Sequence, residues 1–168
     1  MISAEYKAIN SAMHQADDNY GRMGARYAGH VRTAAHALGA ASILDYGCGK
    51  HTLRDAMPEW SDFREYDPAL PGYDVRPEPA DFVACTDVLE HIEPGYVDAV
   101  LDDLRALGRM GVLFVIATKP AQKLLPDGTN PHKIVEDEGW WLTKLCPRWR
   151  IDYLERNPKR FMMVGRVR

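Results

Sequence analysis

The sequence predicts an α/β protein: a three-layer α/β/α sandwich on a mostly parallel sheet, with an antiparallel pair at the end. Three observations carry this. Short apolar runs at 43–44, 82–86 and 111–117 read as buried strands, and two of them end in an acid. Between them lie helical stretches, of which 94–107 is the plainest, with Val97, Val100, Leu101, Leu104 and Leu107 at helical spacing. The last twenty residues alternate and carry aromatic side chains, as a terminal hairpin does.

The chain has 168 residues, which suits one domain. The expected division is a helical cap over 1–40 and a core over 41–168. Hydrophobic residues make up 46% and charged ones 27%, as in ordinary globular proteins. No apolar run approaches the length of a membrane span, and the start lacks the basic and apolar regions of a secretory signal. The three cysteines, Cys48, Cys85 and Cys146, are odd in number and show no C-x-x-C spacing. That pattern fits a reducing, cytoplasmic setting and gives no reason to expect a disulfide framework, a zinc cluster or any other metal site. Charge is uneven: residues 119–168 hold 11 Lys+Arg against 6 Asp+Glu. This basic third could face an anionic substrate or simply be solvated surface.

Taken in order, Ser3–Ala16 reads as a helix whose buried face holds Ile2, Tyr6, Ile9 and Met13. Asp17–Asn19 breaks it. Arg26–Leu38 is a second helix, closed by Gly39. The stretch A-S-I-L-D-Y-G-C-G-K-H-T-L then gives a strand, a glycine turn and a helix start stopped by Pro58. Such a turn at a strand's carboxyl end makes a binding crevice. The glycines are too close together for a P-loop, and the third position of a dinucleotide fingerprint is Thr52. Asp45, two residues before the first glycine, instead suits the ammonium of a ligand that carries an amino acid.

At these residues the chain resembles the first motif of class I S-adenosylmethionine-dependent methyltransferases, and the later stretch H-K-I-V-x-x-x-x-W-W-L-x-K-L, 132–145, looks like small single-domain ones, phage-borne proteins among them. One departure is His51, which stands where that family has a third glycine. It could crowd the methionine part of the cofactor or point away. A second match is D-V-L-E-H-I, 87–92, which resembles the family's fourth motif. The resemblance implies a Rossmann-like fold, S-adenosylmethionine as cofactor, and Asp45, Gly47 and Gly49 at its methionine end.

Phe63–Asp67 is a short strand that ends in an acid, 22 positions after Asp45. An acid about twenty residues on can accept from both ribose hydroxyls, and the resemblance gives Asp67 the same role. Asp-Pro is also a plain turn signal. The proline-rich 70–80 leaves no room for the family's usual helix and third strand, so Tyr73–Val75 is expected at most as a vestigial edge strand, and the adenine pocket has no evident residues. Asp87 ends the 82–86 strand on the same sheet edge and should line the methionine or acceptor side. His91 is a general-base candidate, though a histidine there can equally be structural. Tyr20, in the loop after the first helix, either contacts ligand or packs between helices.

Residues 121–133 form a long polar loop, of the kind that often carries function. The resemblance places such a loop over the acceptor. His132 and Asn130 are its candidates, against a bland reading in which Asn130 caps a helix that Pro131 begins. After it, Asp137–Leu145 should be a helix, with one of Trp140 and Trp141 in the core and the other on a lid.

The implied function is methyl transfer from S-adenosylmethionine to a small-molecule acceptor, with sugars and nucleotides as candidates. The N-P-P-aromatic motif of amino-group DNA methyltransferases is absent, and Cys85 lies inside a strand. Nucleic acid nevertheless stays open as an acceptor, as does a non-catalytic S-adenosylmethionine-binding or partner-dependent protein.

Overall fold

A computed structural model describes residues 2–125 and 127–168. Ala4–Ala16 forms α1, with the Ser3 hydroxyl accepting from the Tyr6 amide at its start. Gly24–Leu38 forms α2, which ends on Gly39 in the left-handed conformation. The core follows as β1 (Ser42–Tyr46), α3 (Thr52–Asp55), β2 (Asp62–Tyr66), β3 (Ala80–Thr86), α4 (Val97–Leu107), β4 (Gly108–Ala117), α5 (Glu138–Leu145), β5 (Trp149–Asn157) and β6 (Arg160–Val167).

The six strands make one sheet in the order β2-β1-β3-β4-β6-β5. The first four are parallel; β6 runs antiparallel to β4, and β5 antiparallel to β6. From β1 the chain crosses to β2 on one side and then to β3 on the other. The sheet therefore has a switch point between β1 and β3, where the strand ends splay and a ligand can enter.

Alternation along the strands sorts the core into two layers. Val83 and Cys85 face one helical layer with α4, α5 and the indoles of Trp141 and Trp149. Phe82 and Ala84 face the other, with Val31, Ala34 and Ala35 of α2 and Leu53 of α3. So α2 is packed on the sheet as a sandwich layer, whereas α1 lies over the strand ends. All five apolar positions expected on α4 are buried.

Several expectations change. Tyr73–Val75 forms no strand: the segment turns, with the Asp67 amide donating to the Tyr73 carbonyl. The Tyr73 amide in turn donates to the Leu70 carbonyl, so the backbone groups of Tyr73 are spent within the turn. β4 starts three residues earlier than its apolar run, because Arg109 and Met110 are exposed beside an irregularity in the pairing with β3. On α1 the buried residues are Tyr6, Asn10 and His14, spaced by four, and not an apolar Ile9 stripe. No helix begins at Pro131; the next one, α5, starts at Glu138. Trp141 is core, but Trp140 carries the Lys144 ammonium 5.7 Å from its ring centre and does not line the cleft. The three cysteines are free, and no helix among the described residues is long and apolar enough to cross a membrane.

Candidate active site

The site begins at the turn after β1. Gly47 takes φ +83° and Gly49 φ +52°, in the left-handed region that favours glycine. The amides of Gly47 and Cys48 both donate to the Tyr66 carbonyl, at 2.7 and 3.1 Å, which fastens the turn to the end of β2. Space is as limiting as conformation. A Cβ on Gly47 would meet Val88 at 2.4 Å, and one on Gly49 would meet the Gly21 carbonyl oxygen at 2.4 Å. The loop after α1 is thus pressed onto the turn, with the Lys50 amide donating to Gly21 at 2.8 Å.

His51 also takes a left-handed conformation, φ 61°. A residue in a glycine-like backbone state thus stands at this position, a state histidine tolerates better than most. Its ring lies 3.0 Å from a Glu65 carboxylate oxygen and stacks near Tyr73. It does not line the cleft.

A cleft of about 270 Å³ opens above the strand ends, between the turn, α1 and the 121–132 loop. Of the residues singled out from sequence, Tyr20, Gly47, Gly49, Asp67, Asp87, His91 and His132 line it. Asp67 follows β2. One of its oxygens accepts from Gly49 N at 3.2 Å and the other from Ala69 N at 2.9 Å. Its remaining lone pairs stay available, and the His14 ring lies 3.9 Å away. Burial lowers the His14 pKa, opposed by Asp67.

Asp45 stands behind this cleft, 2% exposed, in a small recess of about 40 Å³ shared with Gly21, Met23, Gly47 and Asp87. Burial, with the nearby Glu65 and Asp67, pushes its pKa up to about 8. A cation in that recess would relieve the cost of ionising it.

The far end is built from β3, β4 and the loop. Asp87 leaves β3 with φ 62°, and its amide donates to the Val115 carbonyl at 2.9 Å. Glu90 is fully buried. Its Oε1 accepts from Ala117 N at 2.8 Å, and its backbone carbonyl accepts from Ile134 N at 3.0 Å, tying the loop to the end of β4. His91 and His132 meet edge to face, with ring centres 4.8 Å apart. Burial pushes the His91 pKa down to about 4, so its imidazole is neutral. His132 Nδ1–H donates to the Lys119 carbonyl at 2.6 Å, which leaves Nε2 with its lone pair. Asn130 does not line the cleft. Its Oδ1 accepts from the Ala121 and His132 amides and its Nδ2 donates to the Ala121 carbonyl, so it clasps the loop and sets His132.

Sequence reasoning missed the contribution of α1. Asn10 and His14 are buried polar residues that face the cleft. The Tyr20 hydroxyl donates to Asn10 Oδ1 at 2.6 Å, and the Asn10 amide donates to the Tyr6 carbonyl at 2.9 Å. The Tyr6-x-x-x-Asn10-x-x-x-His14 spacing was the available signal. Also missed were the apolar residues Pro68, Ala69, Val88 and Ile92, which line the cleft as Asp67 does. They come from two distant segments.

No protein-family profile matches the chain, and no curated protein resembles it in sequence. Solved structures resemble it in fold. The N-methyltransferase NodS from Bradyrhizobium japonicum WM9, in complex with S-adenosylhomocysteine, superposes with a TM-score of 0.69 at 12% identity, over 96% of this chain and 98% of that one. The Burkholderia thailandensis 1,6-didemethyltoxoflavin-N1-methyltransferase, with its substrate and S-adenosylhomocysteine bound, gives 0.64 at 17% identity, over 99% and 92%. TehB from Haemophilus influenzae gives 0.63 at 16% identity over 83% of this chain, and the match spans 62% of that protein's length. The chain has the Rossmann-like fold of class I methyltransferases.

Proposed function

We propose that the protein transfers the methyl group of S-adenosylmethionine to a small-molecule acceptor. The observation that carries this reading is the convergence of Asp45, the Gly47–Gly49 turn and Asp67 at the β1/β3 switch point. Three chemically distinct needs of one ligand are met there in sequence. The recess at Asp45 suits the ammonium of the methionine part, the close-packed glycine turn admits its backbone-like chain, and Asp67 can accept from both ribose hydroxyls. Pro68, Ala69, Val88 and Ile92 would contact the adenine, and Tyr20 would close over the ligand from the loop after α1.

The cofactor supplies an electrophilic methyl on a sulfonium. The protein's own work is to align an acceptor with it and exclude water. Asp87, His91 and His132 line the side where that acceptor would lie, and Asn130 holds His132 in place from behind. Sugars and nucleotides fit a polar, half-open end of this kind. The Burkholderia thailandensis enzyme of similar fold is seen with the small molecule 1,6-didemethyltoxoflavin bound, which supports a small acceptor. The basic residues around the loop suit an anionic one, and Lys123, though paired with Asp17 at 3.2 Å, lines the cleft.

The test is calorimetric titration with S-adenosylhomocysteine and, separately, NAD. One equivalent of S-adenosylhomocysteine at micromolar affinity, abolished in Asp67→Ala and with no heat from NAD, is the expected result. No binding by folded protein would overturn it.

A further inference from the structure

Beside the cofactor end lies a second group of donors that methyl transfer alone does not require. Glu90, His91 and His132 each place a ligating atom within 4.8 Å of the others. Two features set this cluster apart from ordinary packing. Glu90 Oε2 and His91 Nδ1 are both buried and have no hydrogen-bond partner in the protein, an arrangement that costs stability unless something satisfies it. His132 is also oriented through its other nitrogen, with Nδ1–H fixed by the Lys119 carbonyl. A backbone carbonyl on one ring nitrogen, with the lone pair of the other left bare, is how proteins prepare histidines for metals.

We propose that Glu90, His91 and His132 bind a divalent first-row transition cation at the acceptor end of the cleft, with Asp87 beside them to balance its charge. Two imidazoles and a carboxylate are the donor set of zinc, iron(II), cobalt(II) and manganese(II), not of magnesium or calcium. Ligand bonds of about 2.0–2.2 Å bring donors to about 3.5 Å apart, so the set closes by side-chain rotation. The other cluster of potential ligands, Cys48, His51 and Glu65, differs on these points. His51 is already bonded to Glu65, and burial pushes the Cys48 thiol up, away from the thiolate a metal needs.

The consequence for substrate class rests on the methyltransferase reading. Three protein ligands leave open positions, and these would take an oxygen of the acceptor. A hydroxyl bound there loses its proton to solvent more readily. Its oxygen then forms the new O–C bond as the S–C bond of the sulfonium breaks and the electron pair returns to sulfur. The acceptor is therefore a hydroxyl compound.

The test uses the full-length protein freed of metal, with neither cofactor nor acceptor present. Cobalt(II) is titrated and followed by its visible absorption, and zinc by calorimetry. One equivalent of each should bind. His132→Gln and Glu90→Gln should each weaken binding at least tenfold, while His51→Gln leaves it unchanged. Glu90→Gln keeps the acceptor for Ala117 N, and His132 lies at the surface, so a circular-dichroism melt certifies each fold. No stoichiometric binding to folded protein, or binding lost in His51→Gln and kept in His132→Gln, overturns the proposal. Because S-adenosylhomocysteine binding is measured separately, the metal site and the methyltransferase reading can fail independently.

Discussion

At the β1–β2 end of the cleft, the groups that would meet the cofactor are held by backbone. Gly47 and Cys48 hang from the Tyr66 carbonyl, and Asp67 is tied to Gly49 and Ala69 by amide hydrogen bonds. At the β3–β4 end the groups are side chains set by distant loops. His132 is placed by Asn130 and Lys119, and the Tyr6 hydroxyl reaches across to the Pro131 carbonyl, 125 positions away in sequence. The first end is a rigid socket whose shape follows from a few consecutive residues. The second depends on where a thirteen-residue polar loop (121–133) comes to rest. A general cofactor can be served by the first kind of construction. Acceptor choice is better served by the second, because loops vary without disturbing the sheet.

If that contrast holds, damage to the socket should be severe and global, and damage to the loop end should be confined to turnover. The largest effect is expected from Gly49→Ala. The new methyl would fall 2.4 Å from the Gly21 carbonyl oxygen at a positive φ, costing about 2–4 kcal/mol. The melting temperature should fall and S-adenosylhomocysteine binding should vanish. A variant that melts and binds like the parent would show that the socket is not rigid.

Asp67→Asn comes next. It keeps the fold but halves the acceptor capacity toward ribose, and S-adenosylhomocysteine should bind about 10- to 100-fold more weakly. His132→Ala should do the reverse: turnover falls about 100-fold while S-adenosylhomocysteine affinity stays level. Equal loss of both would erase the distinction between the two ends.

A subtler effect comes from Asp45. Its folded pKa of about 8 lies above the ordinary 3.8. The protonated carboxyl therefore favours the folded state, and this contribution, full below the ordinary value, is lost as pH rises through about 8. Free protein should become less stable over that range. A bound ammonium requires the ionised form, so S-adenosylhomocysteine binding should strengthen toward pH 8 and release a proton. Calorimetry in two buffers of different ionisation heat measures that release, and Asp45→Asn should abolish it. The smallest effect is expected from Lys123→Glu, which should raise the KM of an anionic acceptor several-fold without touching the cofactor; an unchanged KM would remove the anionic acceptor from consideration.

The two ends also differ in how far they could be read from sequence. Asp45, Gly47, Gly49 and Asp67 are legible because strand, turn and acid are neighbours along the chain, and a parallel sheet then brings strand ends to one edge. The apolar spacing of α4 is legible for the same local reason. The role of α1 was not. Its cleft-facing Asn10 and His14 look like the solvated side of an amphipathic helix, and only the packing of that helix over the strand ends turns them inward.

By itself, then, the sequence determined the α/β sandwich, the position of the glycine turn and the two acids at the β1 and β2 ends, because each follows from steric and hydrophobic preferences acting over a few residues. Tertiary structure alone decided that His51 turns away toward Glu65, that Tyr73–Val75 forms no strand, and that Asn130 clasps the loop. It also decided that Glu90, His91 and His132 come together with bare donor atoms. Those outcomes depend on which polar groups remain unpaired once distant segments meet, and a burial cost of that kind exists only after the chain has folded.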